Sequence, residues 1–239
     1  MAYQDKIHVF QPKRAPNILP PVSLILAPKT TKAAKSIKGA IEKHFGHQMN
    51  NIVVGNLGNL EILLFAFDDG DVGAYYTHTI ARCAGQAGTS FRQTTPKEFF
   101  HENVGISAWG LAIHEQSRLL AVSSNRHEVT VFAFATNDNP VQGQLPEEDT
   151  SPEVWSGQTA LELEKHFQSR TRTWRIVLPT GAEGQNIPSI AFCDDETGYA
   201  DKVVAFDVEG NTWIFDIWKI GSFAILQRPL ASKIMPNYR

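Results

Sequence analysis

The chain has 239 residues, of which 42% are hydrophobic and 20% are charged, and this is the composition of a globular protein with a sizeable core. Its net charge of −3 gives no general attraction to nucleic acid or to an anionic membrane surface. Two widely spaced cysteines exclude a disulfide framework and favour a reducing intracellular setting. We expect Cys193, in a strand-like run, to be buried and Cys83 to lie in a polar loop.

The first third of the chain predicts two strands and then a basic helix. Alternation at Ile7–Phe10 predicts the outer strand of an incomplete sheet, and the apolar run Val22–Leu26 predicts a second strand. The stretch Thr31–Phe45 predicts an amphipathic helix, inserted at 29–48, that packs Ile37, Ile41 and Phe45 on a sheet, in line with Ala33. The lysines between them, which we expect to face solvent, are Lys32, Lys35, Lys38 and Lys43.

Two further insertions follow. Residues 79–103 resemble a polar loop, in which the capping-box pattern at Thr95–Glu98 predicts a short helix through Phe100. Residues 136–170 form an acidic insertion, of which we expect Asn137–Thr150 to be poorly ordered and the part around Leu161 to be helical. The alternating run Thr171–Leu178 then predicts a strand.

One pattern occurs three times: an apolar run centred on an alanine, a polar turn and a second apolar run, each preceded by another strand-like segment. The three copies are Leu64–Tyr76, Leu119–Phe132 and Val203–Phe215, and their alanines are Ala66, Ala121 and Ala205. Because blades pack face to face where little room remains, we expect these alanines to be buried in mid-strand. The predicted fold is all-β, a partial WD-repeat-like β-propeller with about three to four blades and a short inserted helix.

Such a propeller is incomplete, because closed rings contain about 4–8 blades. Either the chain is part of a longer protein or another chain completes the ring. Open sheet edges are an aggregation liability, so one of these two solutions is expected.

Carboxylate pairs are the first candidates for chemistry. Asp68, Asp69, Asp194 and Asp195 could serve a propeller-type hydrolase if they faced one channel. Both pairs also lie where hairpin turns are expected, and aspartate is favoured there because its side chain binds the local backbone. We therefore expect turn residues, no enzyme, no cofactor and no small-molecule substrate. The histidines lack metal-ligand spacing, and we expect His114 and His127 to be structural.

Basic side chains are the candidates for partner binding. Arg170, Arg172 and Arg175 flank Trp174 on a predicted strand, and arginine beside tryptophan suits an interface anchor or a phosphate contact. They could equally pair with the acidic insertion just upstream. Together with Lys32, Lys35, Lys38 and Lys43 they allow a nucleic-acid-binding alternative, although the charge of the whole chain disfavours it.

The runs Val104–His114 and Ser117–Phe132 resemble a fungal family named for constitutive ribonucleotide-reductase transcription, and the similarity is weaker over residues 50–77 and 187–217. Proteins of that family are large and WD-repeat-like. The resemblance implies a non-enzymatic interaction scaffold, a nuclear role in regulating ribonucleotide reductase genes, and service as substrate adaptor on a cullin-type ubiquitin ligase. It supplies no catalytic, cofactor or metal residues. The expected partners are proteins, including a cullin-ligase scaffold.

Overall fold

The computed structural model describes residues 1–11, 20–37, 39, 44, 46–86, 95–134, 159–170, 172–219 and 221–228. Within these ranges fifteen strands form four antiparallel sheets, and three helices lie between strands. The all-β prediction is confirmed. Helices form within Thr31–Phe45 and around Leu161, as predicted, and a third helix, Thr77–Gly85, was not predicted.

Each sheet consists of strands that follow one another in the chain. Sheet 1 contains β1 (Ala2–Tyr3), β2 (Lys6–Phe10) and β3 (Val22–Leu26). Sheet 2 contains β4 (Met49–Leu57), β5 (Leu60–Phe67), β6 (Asp71–Tyr76) and β7 (Phe100–Asn103). Sheet 3 contains β8 (Ala108–His114), β9 (Leu119–Ser124), β10 (Glu128–Phe134) and β11 (Thr173–Pro179). Sheet 4 contains β12 (Ser189–Asp194), β13 (Ala200–Phe206), β14 (Thr212–Asp216) and β15 (Ile225–Gln227).

The helices are α1 (Lys32–Ile37), α2 (Thr77–Gly85) and α3 (Ala160–Ser169). A capping box begins α3: Glu162 N–H donates to Thr159 Oγ1 at 3.3 Å, and Thr159 N–H donates to Glu162 Oε2 at 2.8 Å. Leu163 and Phe167 are one turn apart and are both buried against sheets 2 and 3. Among the described helices none is long and apolar enough to cross a membrane.

The sheets pack face to face in chain order, as propeller blades do. One core joins sheets 1 and 2, a second joins sheets 2 and 3, and a third joins sheets 3 and 4. The first strands of the full sheets, β4, β8 and β12, contact one another and therefore lie on the inner side of the array. The predicted blade arrangement is confirmed, with sheet 1 as a partial fourth blade.

Loops at the two ends of the strands form two distinct surfaces. At the Gly58 end, Gly58 N–H donates to Glu115 O at 2.8 Å, and Gln116 Nε2 donates to Thr197 O at 3.4 Å. At the opposite end, called here the Asp71 end, Val104 N–H donates to Gly70 O at 2.9 Å. These bonds join the turns of successive sheets, so each surface contains loops from sheets 2 and 3, and the Gly58 end continues into sheet 4.

The prediction for the three alanines is confirmed. Ala66, Ala121 and Ala205 lie within strands and are each 0% exposed. Close packing also explains Gly70, which has a φ of +83° and whose Cβ, if present, would lie 1.5 Å from Gly105 O. Only glycine allows the β5–β6 turn to approach the next sheet this closely.

Four local predictions are wrong. Lys6–Phe10 is the central strand of sheet 1, because β1 pairs with its other edge. Residues 79–103 are not one polar loop: α2 extends into them, and Phe100–Asn103 completes sheet 2. No helix forms at Thr95–Glu98, where Phe99 N–H instead donates to Ala74 O and extends the contact with β6. The cysteines are reversed, since Cys83 lies buried in α2 and Cys193 is exposed.

The segment Asn137–Thr150, which the sequence predicts to be poorly ordered, lies outside the described residues. The rest of the acidic insertion contains α3, as its sequence pattern predicts. The strand predicted at Thr171–Leu178 is also confirmed: it is β11, which begins at Thr173.

Candidate interaction surface

The buried carboxylate of Asp71 joins three segments at the Asp71 end. It accepts hydrogen bonds from Thr31 N–H at 2.8 Å, from Thr31 Oγ1 at 2.5 Å and from Asn103 Nδ2 at 2.7 Å. His101 Nε2 lies 3.7 Å from Asp71 Oδ2, which is an ion-pair distance. Burial by itself raises the pKa of Asp71, but the contacts with His101, Asn103 and Thr31 outweigh it and the pKa lies below its ordinary value. Asp71, as a carboxylate, therefore attaches α1 to sheet 2 and bonds the Asn103 side chain at the end of β7.

Asp68 and Asp69 have structural partners as well. His47 Nδ1 lies 2.7 Å from Asp69 Oδ2, and the His47 ring stacks on Phe67 at 3.8 Å. Ser107 Oγ donates to Asp68 Oδ1 at 2.6 Å, which ties the β5–β6 turn to the loop before β8. Both aspartates thus join loops that are distant in sequence. Asp69 Oδ1 also accepts from Asp71 N–H at 3.4 Å, which is the local bond expected of a turn aspartate.

His47, Asp69 and Asp71 bring three potential metal-ligand atoms within 4.8 Å of one another. The sequence did not reveal this group because His47 precedes Asp69 by 22 positions and enters from a different loop. The oxygens of Asp71 already accept from Thr31 and Asn103, and His47 already contacts Asp69. The hydrogen bonds within the protein account for the arrangement without an ion.

The hydrolase alternative requires Asp68 and Asp69 to face Asp194 and Asp195, and the topology separates them. The first pair follows β5 at the Asp71 end, whereas the second pair ends β12 at the Gly58 end of another sheet. Asp195 Oδ1 accepts from Thr197 N–H, Thr197 Oγ1 and Tyr199 N–H, so it stabilises its own turn. These carboxylates cannot act on one bond.

His114 has the predicted structural role. Its Nδ1 accepts from Ser117 N–H at 2.9 Å and its Nε2 lies 2.9 Å from Asp194 Oδ1. This pair of contacts orients the ring and links sheet 3 to sheet 4.

The basic helix is shorter than predicted. It ends at Ile37, and Gly39 has a φ of +68°, outside the helical region. It buries Ala34 rather than Ala33, because Thr31 caps it with an oxygen bound to Asp71 and so fixes its rotation. Lys32 and Lys35 face solvent as predicted. Lys38, Ile41, Lys43 and Phe45 lie outside the described residues.

Arg170 makes its contacts inside the protein. Its guanidinium donates to Phe99 O at 2.8 Å, to Thr173 Oγ1 at 3.0 Å and to Phe167 O, and it lies over the Phe134 ring. Burial lowers the pKa of Arg170. These bonds connect the end of α3 to sheets 2 and 3, which accounts for the residue without an external partner.

Arg172 and Trp174 are different, since both are exposed. The Arg172 guanidinium stacks 3.8 Å above the Trp174 ring, and Trp174 is 51% exposed. Arg175 is also exposed and donates to Asn103 O at 3.0 Å. These residues and Val177 belong to the β11 segment. Among the described residues β11 pairs only with β10, so it is the outermost strand of sheet 3. We call Arg172, Trp174, Arg175 and Val177 the β11 rim.

The lysines of α1 and the Arg172–Trp174 pair lie toward opposite ends of the strands. Thr31 attaches α1 to the Asp71 end, whereas Arg172 precedes β11 beside Phe134, where β10 finishes at the Gly58 end. Arg175 reaches Asn103, which is itself bonded to Asp71, so of the two arginines in the β11 rim it is Arg175 that lies toward α1. Their placement does not join the α1 lysines and Arg172 in one continuous basic surface.

Sequence reasoning missed one feature of the Gly58 end. A cleft of about 420 Å³ lies between sheets 3 and 4, with Arg118, Phe134, Tyr199 and Trp218 in its wall. Trp218 is 56% exposed, and its Nε1 donates to Ala200 O at 2.8 Å. An exposed tryptophan beside a loop-lined cleft is a further candidate contact for a protein partner.

Comparison with known proteins places this architecture in a family. The family profile CRT10 matches residues 3–233. The chain belongs to the CRT10 family. An uncharacterized WD repeat-containing protein of Schizosaccharomyces pombe is 30% identical over 135 residues, which are 56% of this chain and 23% of that protein. The chain thus spans about a quarter of the length of this relative.

Two further matches are more limited. A citrate lyase acyl carrier protein of Lacticaseibacillus casei is 31% identical over 88 residues, which are 37% of this CRT10-family chain and 82% of that protein. The β-propeller domain of Cps50 (Swd1) from Myceliophteria thermophila aligns with 86% of this chain and 48% of that one, at 12% identity and a TM-score of 0.46. Neither match assigns a function.

Proposed function

We propose that this chain is the propeller part of a nuclear interaction scaffold that regulates ribonucleotide reductase genes and serves as substrate adaptor on a cullin-type ubiquitin ligase. Membership of the CRT10 family and the WD-repeat-like arrangement support a protein-interaction scaffold. Nuclear location, the ribonucleotide reductase genes and the ligase are the specific parts of the proposal.

The exposed Arg172–Trp174 pair is the observation that carries the interaction role. A tryptophan that is half exposed costs solvation unless a partner covers it, and Trp and Arg are the residues most enriched at binding hot spots. The stacked arginine holds the indole in one orientation, which lowers the entropy lost on binding. The edge of β11 away from β10, which has no pairing among the described residues, adds main-chain donors and acceptors for an extended partner segment.

A binding experiment tests the cullin-ligase adaptor role and the part that the β11 rim plays in it. Purified cullin-ligase scaffold is titrated with the chain and with Trp174→Ala, and Val54→Ala serves as the matched control because Val54 is 55% exposed on the inner strand β4. We expect Trp174→Ala to weaken binding at least about tenfold and Val54→Ala to leave it unchanged. Absence of binding by the unmodified chain refutes the adaptor role, and equal binding by all three chains refutes the β11 rim.

A further inference from the structure

Hydrogen bonding at one end of β11 shows which of its main-chain groups point away from sheet 3. One position beyond the Glu128–Pro179 pair, Thr180 N–H donates to His127 O at 3.0 Å, so this pair is a hydrogen-bonded one. Hydrogen-bonded and non-hydrogen-bonded pairs alternate along an antiparallel ladder. Every second residue of β11 therefore directs its main chain to β10. The strand residues between them whose N–H and C=O groups both point outward are Thr173, Arg175 and Val177.

Pro179 agrees with this alternation. Proline has no N–H to donate, and in a sheet it is tolerated where the missing N–H would face away from the ladder. Pro179 lies two positions after Val177 and so belongs to the outward set, where it costs no bond to β10. Sheets 2 and 4 flank sheet 3 on its two faces, so this edge lies inside the array of sheets and not at one of its ends.

The side chains of the β11 rim lie on both faces of this edge. Arg175 and Val177 face sheet 2, since Arg175 donates to Asn103 O at 3.0 Å and side chains alternate along a strand. Trp174 lies on the opposite face, toward sheet 4, and Arg172 stacks on it. Trp174 is 51% exposed and Val177 is 43% exposed. Each face of the edge thus presents one arginine and one accessible apolar side chain.

Neither arginine of the rim is neutralised by a carboxylate of the described residues. The ion pairs that described arginines form involve Arg126 and Arg228. Arg175 uses one of its N–H groups on a backbone carbonyl, and Arg172 lies over an indole ring. A guanidinium carries several N–H donors in a planar fork that matches a carboxylate. The rim therefore has positive charge and donors to offer to an acidic partner.

We propose that the edge of β11 binds an extended acidic segment of a partner protein, which adds to sheet 3 as a fifth strand. The inference rests on the proposed function, since it specifies the partner of the β11 rim. Antiparallel pairing is the more stable arrangement, and side chains directly opposite one another then interact. The segment reads apolar, any, acidic, apolar, any, acidic. In its own chain order, the residues that face these four defined positions are Val177, Arg175, Trp174 and Arg172.

The outward main-chain groups favour a polypeptide over a nucleic acid. A phosphate could accept from the outward N–H groups and from the arginines. The outward C=O groups, however, need donors at the spacing of a strand, and a phosphodiester backbone has none. A polypeptide strand supplies donors and acceptors in alternation and satisfies both kinds of group.

Fluorescence anisotropy with a labelled peptide tests the proposal on the whole chain. The probe has the core Val-Thr-Glu-Phe-Thr-Glu between Gly-Ser flanks, and the control peptide has lysine in place of both glutamates. We expect the control peptide to bind the unmodified chain at least about tenfold more weakly. Arg175→Glu should reverse this preference, because it repels the glutamate peptide and attracts the lysine peptide. A variant that lost only its fold would bind neither, and circular dichroism verifies the fold.

A second pair of variants tests the main-chain bonds. Val177→Pro removes an outward N–H, and it should weaken binding of the glutamate peptide at least about tenfold while β10 keeps its bonds. Val177→Ala is the matched control, since it shortens the side chain but keeps the N–H, and it should weaken binding only a few-fold. Peptide binding that Val177→Pro leaves unchanged would overturn the addition of a strand.

The remaining outcomes separate this inference from the proposed function. If the chain binds the cullin-ligase scaffold but not the glutamate peptide, the inference is overturned and the adaptor role stands. If it binds the peptide but not the scaffold, the inference stands and the adaptor role fails. Binding of the peptide only after deletion of Asn137–Thr150 would overturn the inference, because the acidic segment of the chain itself would then occupy the edge. Tighter binding of a labelled single-stranded oligonucleotide than of the peptide would overturn it as well.

Discussion

Removing the Asp71 carboxylate should strongly destabilise the fold. Asp71 is 0% exposed and accepts from the Thr31 amide, the Thr31 hydroxyl and the Asn103 amide. In Asp71→Ala these three donors lose their acceptor, so α1 loses its attachment to sheet 2 and the Asn103 side chain at the end of β7 loses its bond to β6. Hydrogen bonds to a charged group contribute about 1.5–3 kcal/mol each, and a donor left buried without a partner costs about 1–3 kcal/mol.

The three losses do not add fully, because Thr31 is only partly buried and water can reach it in the variant. We therefore expect a decrease of about 3–5 kcal/mol in the free energy of unfolding. For a chain of this size that lowers Tm by about 6–20 °C. Stability of a typical domain is about 5–15 kcal/mol, so the variant should be folded but marginal.

Urea unfolding followed by tryptophan fluorescence measures the change. Asp71→Asn keeps the shape of the side chain and should still lose most of this stability, because an amide nitrogen would face a donor. Asp195→Ala is the control: Asp195 also accepts three hydrogen bonds, but it is exposed, and its loss should have a much smaller effect. If Asp71→Ala changed stability no more than Asp195→Ala, the role of Asp71 in joining the segments would be refuted.

Three other predictions come from the structure and a fourth from the sequence. His101, whose pKa is raised chiefly by Asp71, adds stability that is present below about pH 6.5 and lost as the pH rises through its folded pKa, and His101→Gln should abolish this decline in a series of urea titrations. Asp71 has a lowered pKa, so its own contribution should disappear only as the pH falls below about 4. Ala121→Leu should cost about 1–3 kcal/mol in calorimetry by overpacking the seam between sheets 3 and 4, and no loss would show room there. Deleting Asn137–Thr150 should leave Tm nearly unchanged while weakening partner binding; a large fall in Tm would show that the segment is structural.

The strands and their hairpins could be predicted because their pattern is local. An apolar run, a polar turn and a second apolar run determine which residues pair, and Leu119–Ser124 with Glu128–Phe134 is such a hairpin. The β7 strand could not be predicted in this way. Its sequence, Phe-His-Glu-Asn, has little strand pattern, and it forms because β6 offers a free edge.

The residues of the candidate site could be predicted from the sequence, but the contacts that each of them makes could be predicted only in part. The cluster of arginines around Trp174 is evident in the sequence, and the structure exposes Arg172 and Trp174. It assigns Arg170 to an internal contact because α3 ends beside Phe99 and Phe134, and the sequence contains no sign of that proximity. Trp218 and its cleft were not predicted, because the residues that line it come from two different sheets.

By itself, the sequence determined the fold class, the repeat and the buried alanines, because side-chain alternation and turn chemistry act between neighbouring residues. Only the tertiary structure decided which polar groups meet. Asp69 and His47, or Asp71 and Thr31, lie in different segments of the chain, and their interaction depends on how sheets and loops pack.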